Sequence, residues 1–286
     1  MSPPATIRER APAKINLSLH VIGRRGDGYH LLDSLVAFAD VGDSLQIFPA
    51  DRLSLSISGP FAEGLRGQEA DNLVMRAARW FAGEANGRIH LTKSLPVAAG
   101  LGGGSADAAA TIRGLARHLN HPLPMPEATL GLGADVPVCL RPAPARILGV
   151  GDSMQAVHCL PPLPVTLVNP SVPMPTARVF EAGPRIRANG GPGPLPSGTM
   201  TVDDAVRWLS RLANDLEPVA MRLEPSILEV ADALRSAGAG LARMTGSGAT
   251  CFGIFRSRAA ARAAASMIRT SRPNWWVRPT ILNTAE

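Results

Sequence analysis

Apolar and polar residues alternate over residues 15–21, where Ile15, Leu17, Leu19 and Val21 are interleaved with Asn16, Ser18 and His20. A period of two marks a strand with one face on a core. Leu53, Leu55 and Ile57 repeat the pattern with serines between them, and both segments predict half-buried antiparallel strands. The period then lengthens. Over 72–85, Leu73, Ala77, Ala78 and Phe81 share one helical face, and Asp71 or Asn72 stands where an N-cap is needed. Residues 88–92 return to a short strand with Ile89 and Leu91 on one side, and this strand runs into a glycine-rich stretch. Beyond the glycines, Ala108, Ile112, Leu115 and Leu119 recur at helical spacing, so the order is strand, glycine loop, helix.

Residues 183–200 lose all apolar periodicity and are dense in glycine and proline, which predicts a mobile surface loop that separates two lobes approximately. After it come a helix at 226–236, strands at 241–245 and 250–255, an alanine-rich helix and a last strand through 275–281. This α-β-β-α-β order suits a ferredoxin-like α+β layer. No internal repeat is visible. At 286 residues the chain is long enough for two domains, placed at 1–160 and 161–286.

Composition narrows the class. Hydrophobic residues make up 45% of the chain, yet no run approaches the roughly 20 apolar residues of a membrane span. The opening residues, MSPPATIRER, lack the apolar run of a secretory signal, and the expected location is the cytoplasm with no membrane partner. Cys139, Cys159 and Cys251 are odd in number and far apart, a pattern of packing residues rather than of a zinc site or disulfide framework. The formal charge of +6 is spread as single arginines, and aromatic residues are only 4%, so a clustered nucleic-acid surface with stacking rings is not indicated. Dispersed positive charge suits small polyanionic ligands equally well.

Gly100, Gly102, Gly103 and Gly104 let the backbone approach a ligand closely and aim several N–H groups at one anion. The helix that follows adds its partial positive charge, and Ser105 stands either to cap that helix or to donate its hydroxyl to a phosphate. A flexible turn is the plainer alternative. No Gly-Lys-Ser/Thr follows, so this is not a Walker A loop, and the glycine spacing is not that of a dinucleotide fold.

The stretch Pro96, Val97, Ala98, Ala99, Gly100, Leu101, Gly102, Gly103, Gly104, Ser105 and Ala106 resembles the ATP-binding signature of the GHMP kinases. Ala98 and Ala99 depart from it, since many relatives carry glycine or serine there. The segments Ala11-Pro12-Ala13-Lys14-Ile15-Asn16-Leu17, Arg24-Arg25-Gly26-Asp27-Gly28-Tyr29-His30 and Gly133-Ala134-Asp135-Val136-Pro137 resemble the branch of that superfamily that phosphorylates a cytidine diphosphate-linked methylerythritol. Met244-Thr245-Gly246-Ser247-Gly248-Ala249 is similar to the superfamily's C-terminal glycine turn. The resemblance runs from residue 11 to about residue 255, with a shorter lead-in over 122–132 than the fuller helix of relatives.

The resemblance implies a two-lobed α+β fold, with an N-terminal mixed α/β lobe of ribosomal-protein-S5-like character and a ferredoxin-like C-terminal lobe. It implies an ATP-dependent kinase of the non-mevalonate isoprenoid route, acting on the 2-hydroxyl of a small-molecule acceptor, with Mg²⁺ as cofactor. Its ligands are open, with Ser105 a candidate. Asp135 would be the base and Lys14 its cationic partner, whereas spacing alone also allows a turn or cap aspartate and an edge lysine with its head in water. Tyr29 and His30 would hold the cytosine by stacking and hydrogen bonding, Asn16 the erythritol, and Thr176 and Phe180 would close the pocket. By spacing alone, Tyr29 reads as a hairpin tip and Phe180 as a core residue. Other GHMP kinases, for mevalonate, homoserine or galactose, are the competing reading. A non-catalytic RNA-binding module on a split-βαβ fold is a further one.

Overall fold

The computed structural model describes residues 6–83, 87–184, 186, 187, 191 and 193–283. The chain divides into two compact units interleaved in sequence: Met1–Ala13, Gly42–Val97 and Gly102–Pro142 in one, Lys14–Val41, Ala98–Leu101 and Ala143–Glu286 in the other. Two long strands, β1 (Ile7–Arg24) and β2 (His30–Phe48), contribute residues to both.

In the first unit, β3 (Ser54–Ser58), α1 (Leu73–Ala82) and β4 (Arg88–Thr92) follow, then α2 (Gly103–Leu119) and α3 (Val136–Leu140). β4 is central: it pairs antiparallel with β2 from Ser44↔Thr92 to Phe48↔Arg88 and parallel with β3 from Ser54↔Arg88 to Ser58↔Thr92. The sequence reading of β3 as antiparallel is thereby corrected. α1 is the crossover that a parallel pair requires, so β3, α1 and β4 form a βαβ unit. Asn72 caps α1, its Oδ1 accepting the Val74 N–H at 2.9 Å. The helix buries Val74, Met75, Ala77 and Ala78, a face rotated from the expected one because Leu73 and Phe81 are only half-buried. Residues 84 and 85, the expected end of this helix, lie outside the described residues. Leu45, Ile47, Ile89, Leu91, Ile112 and Leu115 form the core of the unit.

The second unit adds the hairpin β5 (Ala145–Gly149) and β6 (Ser153–Ala156), then β7 (Leu163–Asn169), α4 (Thr176–Glu181), α5 (Val202–Leu209) and α6 (Glu217–Leu223). It ends with α7 (Ser226–Ser236), β8 (Leu241–Met244), β9 (Cys251–Ile254), α8 (Arg258–Ser271) and β10 (Trp276–Leu282). Its sheet has the order β10-β7-β9-β8, antiparallel throughout, and the ferredoxin-like layer expected from sequence is present. Ile227, Val230 and Leu234 of α7 and Ala261, Ala264 and Ile268 of α8 belong to the same buried cluster as Val168 and Val277. The three cysteines are buried, as expected.

The alternating segment of β1 is not half-buried. Asn16, Ser18 and His20 are as enclosed as the leucines between them: Asn16 Nδ2 donates to Ser34 Oγ, which donates to the Ser18 carbonyl, and His20 lies 3.5 Å from Asp215, while the Ser18 hydroxyl is buried with no hydrogen-bond partner among the described residues. Of the glycine- and proline-rich segment, residues 185, 188–190 and 192 lie outside the described residues. The remainder has no helix or strand, and it is tied down where described. Arg187 forks onto Asp215 and its N–H donates to the Val21 carbonyl, while Arg146 forks onto Asp33 and donates to the Gly193 carbonyl. No helix among the described residues is long and apolar enough to cross a membrane.

Candidate functional site

The loop between β4 and α2 turns through three left-handed positions, Ala98 (φ 51°), Gly100 (φ 73°) and Gly102 (φ 62°). Gly103 does not need a positive φ; it is the first helical residue, and Gly102 is the N-cap. Ser105 therefore lies inside the first turn and is not the cap, which corrects one of its two sequence readings. The first helical bond runs from the Ala106 N–H to the Gly102 carbonyl at 2.9 Å. The N–H groups of Gly103, Gly104 and Ser105 thus have no intrahelical acceptor, as the helix start requires, and are oriented to receive an anion.

In the second unit, residues Ala98–Leu101 are held by backbone contacts on every side. The Ala98 carbonyl accepts the Met174 N–H at 3.0 Å, Ala99 accepts Thr250 N–H at 3.2 Å, and Leu101 accepts Lys14 N–H at 2.9 Å. Thr245 Oγ1 donates to the Gly100 carbonyl at 3.3 Å and accepts the Asn16 N–H at 2.8 Å. A Cβ on Gly100 would meet the Thr245 carbonyl oxygen at 2.4 Å, so the loop and the C-terminal glycine turn pack backbone against backbone. Asn214 secures that turn by donating to the Met244 and Gly246 carbonyls.

Several candidate residues gather on this frame. Lys14 is 4% exposed, which removes the reading of an edge lysine with its head in water. Thr176 Oγ1 and Ser247 Oγ are hydrogen-bonded at 2.9 Å, joining α4 to the glycine turn. Phe180, also on α4, faces His30 with ring centroids 4.8 Å apart. Burial, and then Arg24, hold the His30 imidazole below its ordinary pKa, which favours the neutral ring. Tyr29 projects from the turn between β1 and β2 and is 68% exposed, its ring available to a ligand.

In the first unit, Gly102 to Ser105 lie beside the Gly133–Ala134–Asp135 turn: a Cβ on Gly133 would stand 4.0 Å from Ser105 Oγ. A 3-10 helix, Pro126–Leu132, leads into this turn. Asp135 occupies the N-cap position of α3, yet its side chain makes no cap hydrogen bond, so capping does not account for the carboxylate.

One cluster escaped the sequence reading. Lys93 Nζ is hydrogen-bonded to Asp43 Oδ2 and, at 2.6 Å, to Asp107 Oδ2. Asp43 Oδ1 accepts the N–H groups of Ser94 and Leu95 at 2.5 and 2.8 Å. Burial pushes the Asp107 carboxyl up to about 7 against the pull of the Lys93 ammonium, and the Asp43 charge adds to the rise. Burial opposes the Lys93 charge too, but the two carboxylates outweigh it and hold the ammonium above its ordinary pKa. The only signal in the sequence was a lysine directly after a short strand; nothing pointed to Asp43, fifty residues earlier.

Residues 72–141 match the family model of the GHMP kinases N-terminal domain, and residues 202–273 match that of the GHMP kinases C-terminal domain. A 4-diphosphocytidyl-2-C-methyl-D-erythritol kinase of Ruegeria pomeroyi is 50% identical over 268 residues, 93% of this chain and 95% of the relative. The chain belongs to the GHMP kinases, in the family of these relatives. A Paracoccus denitrificans kinase of the same name is 53% identical over 270 residues, 94% of each chain. Among solved structures, a crystal structure of 4-(cytidine 5'-diphospho)-2C-methyl-D-erythritol kinase superposes with a TM-score of 0.75 at 33% identity, covering 97% of this chain and 100% of that one. As a GHMP kinase the chain is a phosphotransferase that uses ATP. The N-terminal match spans α1 to α3 and so contains the glycine loop, and the C-terminal match spans α5 to α8 with the glycine turn.

Proposed function

We propose that the chain transfers the γ-phosphoryl group of ATP to the 2-hydroxyl of 4-diphosphocytidyl-2-C-methyl-D-erythritol, giving the 2-phosphate and ADP. The observation that carries this reading is half-identity over nearly the full length to kinases of that name. Phosphoryl transfer needs a phosphate cradle, positive charge near the moving group and a residue to orient or deprotonate the hydroxyl. The three N–H groups opening α2, which have no intrahelical acceptor, are the cradle, completed by the stretch from Pro96 to Ala106. Asp135 accepts the hydroxyl proton, and Lys14 stabilises charge developing on the acceptor oxygen.

Tyr29 stacks on the cytosine and His30 reads its edge, with Phe180 against the His30 ring and Thr176 fixed by Ser247. Asn16 holds the erythritol. Mg²⁺ would enter with the nucleotide and supply positive charge to the transferring phosphate, and the Ser105 hydroxyl is the hard-oxygen ligand the protein would offer it. Among the described residues no group of three or more His, Cys, Asp or Glu is placed to hold a metal.

The test is incubation of the purified chain with ATP and the cytidine substrate, reading ADP release and a new phosphomonoester signal by phosphorus NMR. Mevalonate, homoserine and galactose serve as competing acceptors. Turnover of one of these, with none of the cytidine substrate, would overturn the assignment.

A further inference from the structure

Lys93, Asp43 and Asp107 are each at most 3% exposed, and they come from three elements: Asp43 from β2, Lys93 from the exit of β4, and Asp107 from the second turn of α2. A buried ion cluster is a poor source of stability, because desolvation of the charges consumes most of their attraction. Two carboxylates on one ammonium are poorer still, and Asp107 Oδ1 is buried with no hydrogen-bond partner among the described residues. What the cluster does supply is geometry. Asp43 Oδ1 fixes the Ser94 and Leu95 N–H groups just before the loop, and Asp107 Oδ2 fixes α2 just after it. The ammonium between them lies against the first helical residue, where a Cβ on Gly103 would approach Nζ to 3.1 Å.

We propose that Lys93, clamped by Asp43 and Asp107, is a positioning residue that sets the first turn of α2, and with it the N–H groups of Gly103, Gly104 and Ser105, for binding the nucleotide phosphates. The proposal rests on the reading of this loop as the ATP cradle. Lys93 touches no phosphate itself; it acts through the helix start, and its side chain is spent on the two carboxylates. A structural ion cluster and a positioning device make different predictions. Loss of the first lowers melting temperature and the affinity for every ligand together, while loss of the second raises KM for ATP alone.

The experiment compares Asp107→Asn and Lys93→Met with the parent chain by thermal melting, ATP titration and steady-state kinetics. Asp107→Asn keeps the side-chain shape and an oxygen to face the ammonium, so it carries the test if Lys93→Met does not fold. The expected result for Asp107→Asn is a rise in KM and Kd for ATP of about fivefold or more, with kcat at saturating ATP and the acceptor KM within about twofold. Parallel loss of both affinities and of melting temperature, or unchanged ATP affinity, would overturn the positioning role. Gly102→Val is measured alongside. If it too leaves ATP binding intact, the cradle reading fails and takes the proposal with it. If Gly102→Val loses ATP and Asp107→Asn does not, the positioning role alone is wrong.

Discussion

The two halves of the glycine loop are held in different ways. Ala98–Leu101 is fixed by neutral hydrogen bonds from the backbone of Met174, Thr250 and Lys14 and from the Thr245 hydroxyl, with no space for a side chain at Gly100. Gly102 to Ser105 open a helix whose start rests on a buried cluster of three charges. Close backbone packing is intolerant of added atoms, and an error there is a folding error. The helix start keeps room above it: a Cβ on Gly104 would meet nothing within 4 Å. Changes in the first half should therefore register as stability, and changes in the second as ligand affinity and rate.

The sharpest departure between stability and rate belongs to Asp135, beside the second half. Asp135→Asn keeps the shape of the side chain but removes its capacity to take a proton, so kcat should fall by about 10²–10⁴ with the melting curve nearly unchanged. Gly100→Val is its counterpart in the first half. A β-branched residue there must adopt φ 73° and drive a Cβ into the Thr245 carbonyl, so equilibrium unfolding should show a loss of about 3 kcal/mol. Full stability of this variant would remove the distinction between the halves.

Smaller effects sharpen it further. Tyr29→Ala and His30→Ala should each raise the acceptor KM about tenfold and leave the ATP KM nearly intact, since both residues are assigned to the acceptor and not to the phosphate loop. Equal loss for both ligands would show a structural turn instead. Ala98→Gly should be the mildest change. It relieves a left-handed alanine in the first half, and chemical denaturation should report a gain of about 1 kcal/mol with unchanged kinetics.

Local patterns were legible in the sequence where a single period governed them. Arg88–Thr92 and Ser226–Ser236 stand where the spacing placed them, and so does the helix after the glycines. β2 was missed although it has 19 residues, because Asp33, Asp40, Gly42 and Asp43 interrupt its apolar run. Two of those aspartates are buried against Arg146 and Lys93, partners that only the fold brings near. β7 was missed for a related reason. Pro164 and Thr166 break its pattern, yet as a central strand all seven residues are buried, so no polar face existed for an alternation to reveal. The glycine loop could be read because its chemistry is local in sequence. The Lys93 cluster could not, since a buried charge looks the same in a sequence as an exposed one.

The central claim is that Lys14, bonded through its backbone to the first half of the loop, and Asp135, beside the second, work as one unit in phosphoryl transfer. A double-mutant cycle on kcat with Lys14→Met and Asp135→Asn tests this most directly. Each single variant should lose about 10²–10⁴, and the double variant should be within about threefold of the poorer single one. Losses that multiply in the double variant, or an Asp135→Asn enzyme retaining more than about a third of the parent kcat, would contradict the account.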